Sequence, residues 1–132
     1  MNDCKMEIII SGDQKFDPDF LTKKLNIIPD ITWRIGDNIG RSSLLRHVNA
    51  WVLSVNYTEN DDVSMVLNGL FEKLKPVEAS VINYLNSSKD FEFQISIAIY
   101  VEDTSPALNF SPEIISKLAL FNASLDIDVI LI

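Results

Sequence analysis

The chain has 132 residues, 47% of them hydrophobic, with 19 acidic against 11 basic side chains and a formal net charge of −8. That length and apolar content predict one domain, residues 1–132, with a core that needs no disulfide or metal to hold it. The charge argues against general binding to nucleic acid or anionic membrane, because both need positive surface potential.

A single cysteine, Cys4, cannot form an intramolecular disulfide and suits a reducing compartment. The opening MNDCKMEIII has no basic leader, and its apolar run stops at Ser11-Gly12-Asp13. The expectation is therefore a cytoplasmic protein without a signal peptide or membrane span.

Met6 to Ile10 is a short apolar run that predicts a first, buried strand. Asp17-Pro18 pairs an N-cap with a proline at the first helical position, and Phe20, Leu21 and Leu25 form the stripe of a short helix ending at Asn26. Ile31, Trp33 and Ile35 alternate with Thr32 and Arg34 as far as Gly36-Asp37, the pattern of a second strand. Trp51, Leu53, Val55 and Tyr57 alternate with polar and small residues in a third.

Val63, Val66, Leu67, Leu70, Phe71 and Leu74 follow helical spacing, and Pro76 predicts a break before a second helical segment carrying Val77, Val81, Ile82 and Leu85. FEFQISIAIYVE, Phe91 to Glu102, is the clearest strand, with Phe91, Phe93, Ile95, Ile97, Ile99 and Val101 on one face. Ser111-Pro112 opens a helix bearing Ile114, Ile115, Leu118 and Phe121, and LDIDVILI closes the chain as a strand.

The order β-α-β-β-α-β, then α-β, predicts an α+β fold. Its first six elements would form a split βαβ (ferredoxin-like) core with a mixed, largely antiparallel sheet, helices on one face and an extra C-terminal α-β unit. Strands one and three are expected to run parallel.

Four short motifs accumulate along this pattern: ISGD at Ile10 to Asp13, FDPDFLTKKLNI at Phe16 to Ile27, WRIGD at Trp33 to Asp37 and LDIDV at Leu125 to Val129. Together, and in this order, they resemble a family catalogued as domain of unknown function 4279, almost from end to end. The resemblance implies a small bacterial cytoplasmic α+β domain with no assigned catalytic residues. It further implies company among polymorphic toxin systems, where such families serve as candidate immunity proteins. Gly12, Pro18, Trp33, Gly36 and Asp126 match the motifs, for folding or for function.

Two candidate surfaces follow from the residues themselves. All three arginines and the only histidine fall in Thr32 to His47, so Trp33, Arg34, Asp37, Arg41, Arg46, His47 and Trp51 form a candidate loop for an anionic ligand or a partner. The segment lacks a phosphate-loop pattern. Internal pairing of the arginines with acids such as Glu102 and Asp103 is the alternative.

The second surface is an acidic end. If strands one and three are parallel, Asp13, Asp17 and Asp19 emerge beside Glu59, Asp61 and Asp62 and would steer a basic partner. Helix capping by the same carboxylates is the bland alternative.

Asp126 and Asp128 share a strand face but have no third ligand nearby, and His47 has no nucleophile beside it. No catalytic residue, metal or cofactor is assigned, and the protein is read as a non-enzyme. The expectation is a binding module, with a basic toxin domain as partner in the leading reading and an anionic small molecule at Arg34–His47 in the alternative. The apolar final strand makes a homodimer possible.

Overall fold

A computed structural model describes residues 3–58, 60–102 and 108–131. Five strands form one mixed sheet: β1 (Asp3–Gly12), β2 (Ile31–Trp33), β3 (Asn49–Thr58), β4 (Glu92–Val101) and β5 (Ser124–Leu131), in the order β2-β3-β1-β4-β5. All neighbours are antiparallel except β4 and β5. The helices are α1 (Pro18–Leu25), α2 (Val63–Leu74), α3 (Glu78–Asn86) and α4 (Pro112–Leu120).

The helix ends follow their local chemistry. Asp17 caps α1 by accepting from the Asp19 amide, Asp62 caps α2 at the Ser64 and Met65 amides, and Ser111 caps α4 at the Ile114 amide. Pro76 sits in a 3-10 turn, Lys75–Val77, so α2 and α3 are separate helices meeting at a corner. Proline cannot supply the amide that would continue α2, but its fixed φ suits a new first turn.

Alternation along the strands builds the core. Met6, Ile8 and Ile10 of β1, Trp51 and Leu53 of β3, and Phe93, Ile95, Ile97 and Ile99 of β4 pack with Leu21, Leu67, Leu70, Leu74 and Val81 from the helices. Phe71, Phe93 and Phe121 stack in parallel, with centroids 4.5 Å apart for the closest pair. Gly12 ends β1 where a Cβ would lie 2.5 Å from the Phe91 ring and 2.9 Å from Phe16 Cβ, so any larger residue would push those rings apart.

Two expectations need correction. β2 stops at Trp33 instead of running to Ile35, because the Arg34 amide turns to the Asp37 carboxylate. β1 and β3 are antiparallel, with Asp3 opposite Thr58 and Gly12 opposite Asn49. The reason is topological: the sheet puts β2 and β1 in the same direction, so a hairpin from β2 into β3 must return against both.

The consequence is that the two acidic clusters separate. Asp13, Asp17 and Asp19 lie at the Gly12 end of β1, whereas Asp61 and Asp62 follow Thr58 at the other end, about 30 Å away along a ten-residue strand. The Trp-Arg loop also lies at the Gly12 end, away from Glu102, which follows the far end of β4. Glu59 and Asp103 lie outside the described residues.

Candidate functional site

The β2–β3 connection, residues 34–48, folds into a second, smaller hairpin. At its base the Arg34 amide donates to Asp37 Oδ2 at 2.8 Å and the Asp37 amide returns to the Arg34 carbonyl at 3.0 Å. Gly36, at φ 93, completes this turn in a conformation that side chains disfavour. The Arg46 amide donates to the Asp37 carbonyl (2.7 Å) and the Gly36 amide to the Arg46 carbonyl (3.0 Å).

Further out, Asn38 and Leu45 bridge, and the Ile39 amide donates to the Leu44 carbonyl at 2.8 Å. Gly40, at φ 57, turns the tip, and the Ser42 hydroxyl closes it by donating to the Ile39 carbonyl (2.7 Å) and accepting from the Leu44 amide (3.2 Å). Backbone bonds at the base and near the tip therefore hold the two limbs of the arm together.

Asn49 locks the arm to the domain. Its side-chain carbonyl accepts from the Ile35 amide at 2.7 Å, while its amide donates to the Phe16 carbonyl at 2.9 Å and to the Asp13 carbonyl at 3.4 Å. One buried side chain thus joins the hairpin, the end of β1 and the entry to α1.

The arginines divide by role. Arg34 reaches back to α1, with one guanidinium nitrogen 2.9 Å from Asp19 and 3.5 Å from Asp17. Half exposed, this ion pair is worth at most about 1 kcal/mol. Arg46 lies over the Trp33 ring, 3.7 Å from its centroid, a cation–π contact across the hairpin. Trp33 Nε1 and Arg46 Nε are both buried without a hydrogen-bond partner. Arg41 is exposed at the tip and His47 is exposed near the base.

Trp51 does not belong to this surface. It is 0% exposed, and its indole N–H donates to Thr22 Oγ1 at 3.0 Å, itself bonded to the Pro18 carbonyl. Its position opposite the buried Ile10 in the β1–β3 register puts its ring on the core face.

Among the side chains that the arm presents to solvent are several aliphatic ones. Ile35, Ile39, Leu44, Leu45 and Val48 are all exposed, Leu44 to 66%, and Ile28 and Ile31 are exposed just before it. Attention to the arginines misses these residues. Their signature in the sequence is an apolar set with neither a helical nor a strand period, flanking Gly40 and Ser42-Ser43.

The acidic residues serve the backbone. Asp62 caps α2, Asp61 accepts from the Thr58 amide (2.9 Å) and hydroxyl (3.3 Å), and Asp13 accepts from the Lys15 amide at 3.1 Å. Among the described residues, no three His, Cys, Asp or Glu side chains gather as a metal site, and Asp126 and Asp128 stand exposed on β5. No helix among them is long and apolar enough to cross a membrane.

A family model described as "Domain of unknown function (DUF4279)" matches residues 2–131. The chain belongs to the DUF4279 family. No curated protein and no solved structure matches it. Several of the motif residues that resemble DUF4279 have folding roles here. Gly12 makes room for Phe91, Pro18 opens α1, and Trp33-Arg34-Ile35-Gly36-Asp37 is the turn that launches the arm from the DUF4279 sheet. The exposed aliphatic residues of the tip lie outside those motifs.

Proposed function

We propose that the protein is a non-catalytic protein-binding module, and that hairpin 34–48 is its docking arm. One observation carries the reading: Ile35, Ile39, Leu44, Leu45 and Val48 are exposed on an arm whose limbs are joined by backbone hydrogen bonds. A solvated loop has no need of such side chains, while several exposed aliphatic residues on a hydrogen-bonded arm suit burial against a partner. Arg41 at the tip would add a charge-assisted bond at the rim.

Within this reading the partner is a toxin domain and the protein its immunity factor in the cytoplasm, where a buried, unpaired Cys4 suits a reducing milieu. The net charge of −8 would steer a basic partner at long range, and the arm would occlude it at contact. The strand order β2-β3-β1-β4 with antiparallel neighbours supports reading the first six elements as a split βαβ core, with α4 and β5 appended.

The test is photocrosslinking in the native cells from a diazirine-bearing leucine analogue at position 44, with position 120 on α4 as control. Discrete adducts from position 44 alone are expected. No adduct, or the same adducts from both sites, overturns the assignment.

A second reading, an anionic small molecule at the arm's base, is favoured by the unpartnered donors Trp33 Nε1 and Arg46 Nε. Carboxylates, phosphate and nucleotides would then raise the melting temperature of the protein but not of Arg46→Gln. Absence of any shift removes it.

A further inference from the structure

The sheet has two edges of different character. β2 is three residues long and continues into the hairpin, whereas β5 runs eight residues, Ser124–Leu131, and among the described residues pairs only with β4. One flank of β5 therefore offers a continuous row of backbone donors and acceptors.

Its side chains alternate between the two faces of the sheet. In register with Ile95, Ile97, Ile99 and Val101, the residues Leu125, Ile127, Val129 and Leu131 lie on the helix side. Asp126, Asp128 and Ile130, in register with Ser96, Ala98 and Tyr100, lie on the other. The helix-side row is only partly covered: Ile127 packs against the core, while Leu125 and Val129 are exposed and Leu131 is 75% exposed. Neither aspartate takes part in an ion pair among the described residues. No proline or lysine guards the strand.

Charge decides what fits this edge. In a two-fold antiparallel pairing of β5 with a second copy, residues of the same face stand opposite one another. Registers centred on Asp126, Ile127 or Asp128 then put aspartate directly opposite aspartate, and a register centred on Val129 leaves Asp128 diagonal to its copy. Each copy also brings a net charge of −8. An incoming strand with Lys or Arg at alternate positions meets Asp126 and Asp128 with opposite charge, while its apolar positions extend the row Leu125, Val129, Leu131.

We propose that β5 is a strand-addition site for an extended segment of another protein in which basic and apolar residues alternate. The site lies at the opposite edge of the sheet from the hairpin and stands or falls independently of it.

The test uses the full chain, isotopically labelled, and two acetylated, amidated octapeptides, one alternating valine and lysine and one alternating valine and glutamate. The lysine peptide should shift the amide resonances of Ser124–Leu131, and its affinity should fall at least about tenfold in Asp126→Asn/Asp128→Asn, which changes only exposed side chains, and fall again with added salt. The glutamate peptide should leave those resonances unmoved. The proposal is overturned if millimolar lysine peptide leaves β5 unperturbed, if the double variant binds equally well, or if sedimentation shows a dimer that Leu131→Asp disperses, since a second copy would then own the edge.

Discussion

Asn49 joins three segments that meet only in the folded chain, and its replacement has a defined cost. In Asn49→Ala the Phe16 carbonyl loses its partner in a buried setting and the Ile35 amide in a partly buried one, where an unmade hydrogen bond costs about 1–3 kcal/mol. Urea denaturation should show a loss of about 2 kcal/mol or more at unchanged m-value, and a loss below about 0.5 kcal/mol would contradict the role. Tyr57 predicts the opposite sign. Its hydroxyl is buried and unpartnered, so Tyr57→Phe should be neutral or stabilising by about 1 kcal/mol at pH 7. Burial first, and the neighbouring Cys4 second, push its phenol up from 10.0 to about 12. A folded pKa above the unfolded one favours the protonated, folded form, so this contribution is complete below about pH 10 and is lost as pH rises toward 12. Denaturation midpoints across that window should fall more steeply for the wild type than for Tyr57→Phe, and equal slopes would contradict the assignment. At this scale the caps were legible, because Asp17-Pro18 and Ser111-Pro112 act on their own neighbours. Asn49 was not, since nothing beside it in the chain reveals that Ile35 and Phe16 will lie against it.

Elements were legible where a period ran long enough to be unambiguous. Phe93 to Val101 alternates through the whole of β4, and Val63 to Leu74 holds its helical stripe through α2. β2 was drawn too long because Ile35 continues the alternation by residue type, while Asp37 draws the Arg34 amide out of strand pairing. The arm leaves in the sequence only its turn glycines and serines and a non-periodic aliphatic set, for a network of main-chain and Ser42 bonds has no periodic signature. Arg34 tests how the arm is held. Its ion pairs with Asp17 and Asp19 are half exposed, so Arg34→Ala should lower stability by less than about 1 kcal/mol and leave the amides of Gly36 and Arg46 protected from hydrogen exchange. Loss of that protection would transfer the anchoring role from Asn49 to Arg34.

For the whole molecule, strand direction governs which charges can cooperate. The antiparallel β1–β3 pair sends Asp13, Asp17 and Asp19 to one end and Asp61 and Asp62 to the other, and it brings Arg34 to the first group. Residue patterns identify strands but do not orient them, so a single acidic end was inferred where the sheet has two. The same geometry places one hydrogen-bonded arm with exposed aliphatic side chains at the Gly12 end of an acidic domain. The most direct test of its role is capture from native lysate by the wild type and by Ile39→Ser/Leu44→Ser/Leu45→Ser, compared quantitatively. The account predicts that the triple variant melts as the wild type does, because its changes lie on exposed side chains, and loses a specific partner by at least about tenfold. Full retention of every partner by a folded triple variant would contradict it.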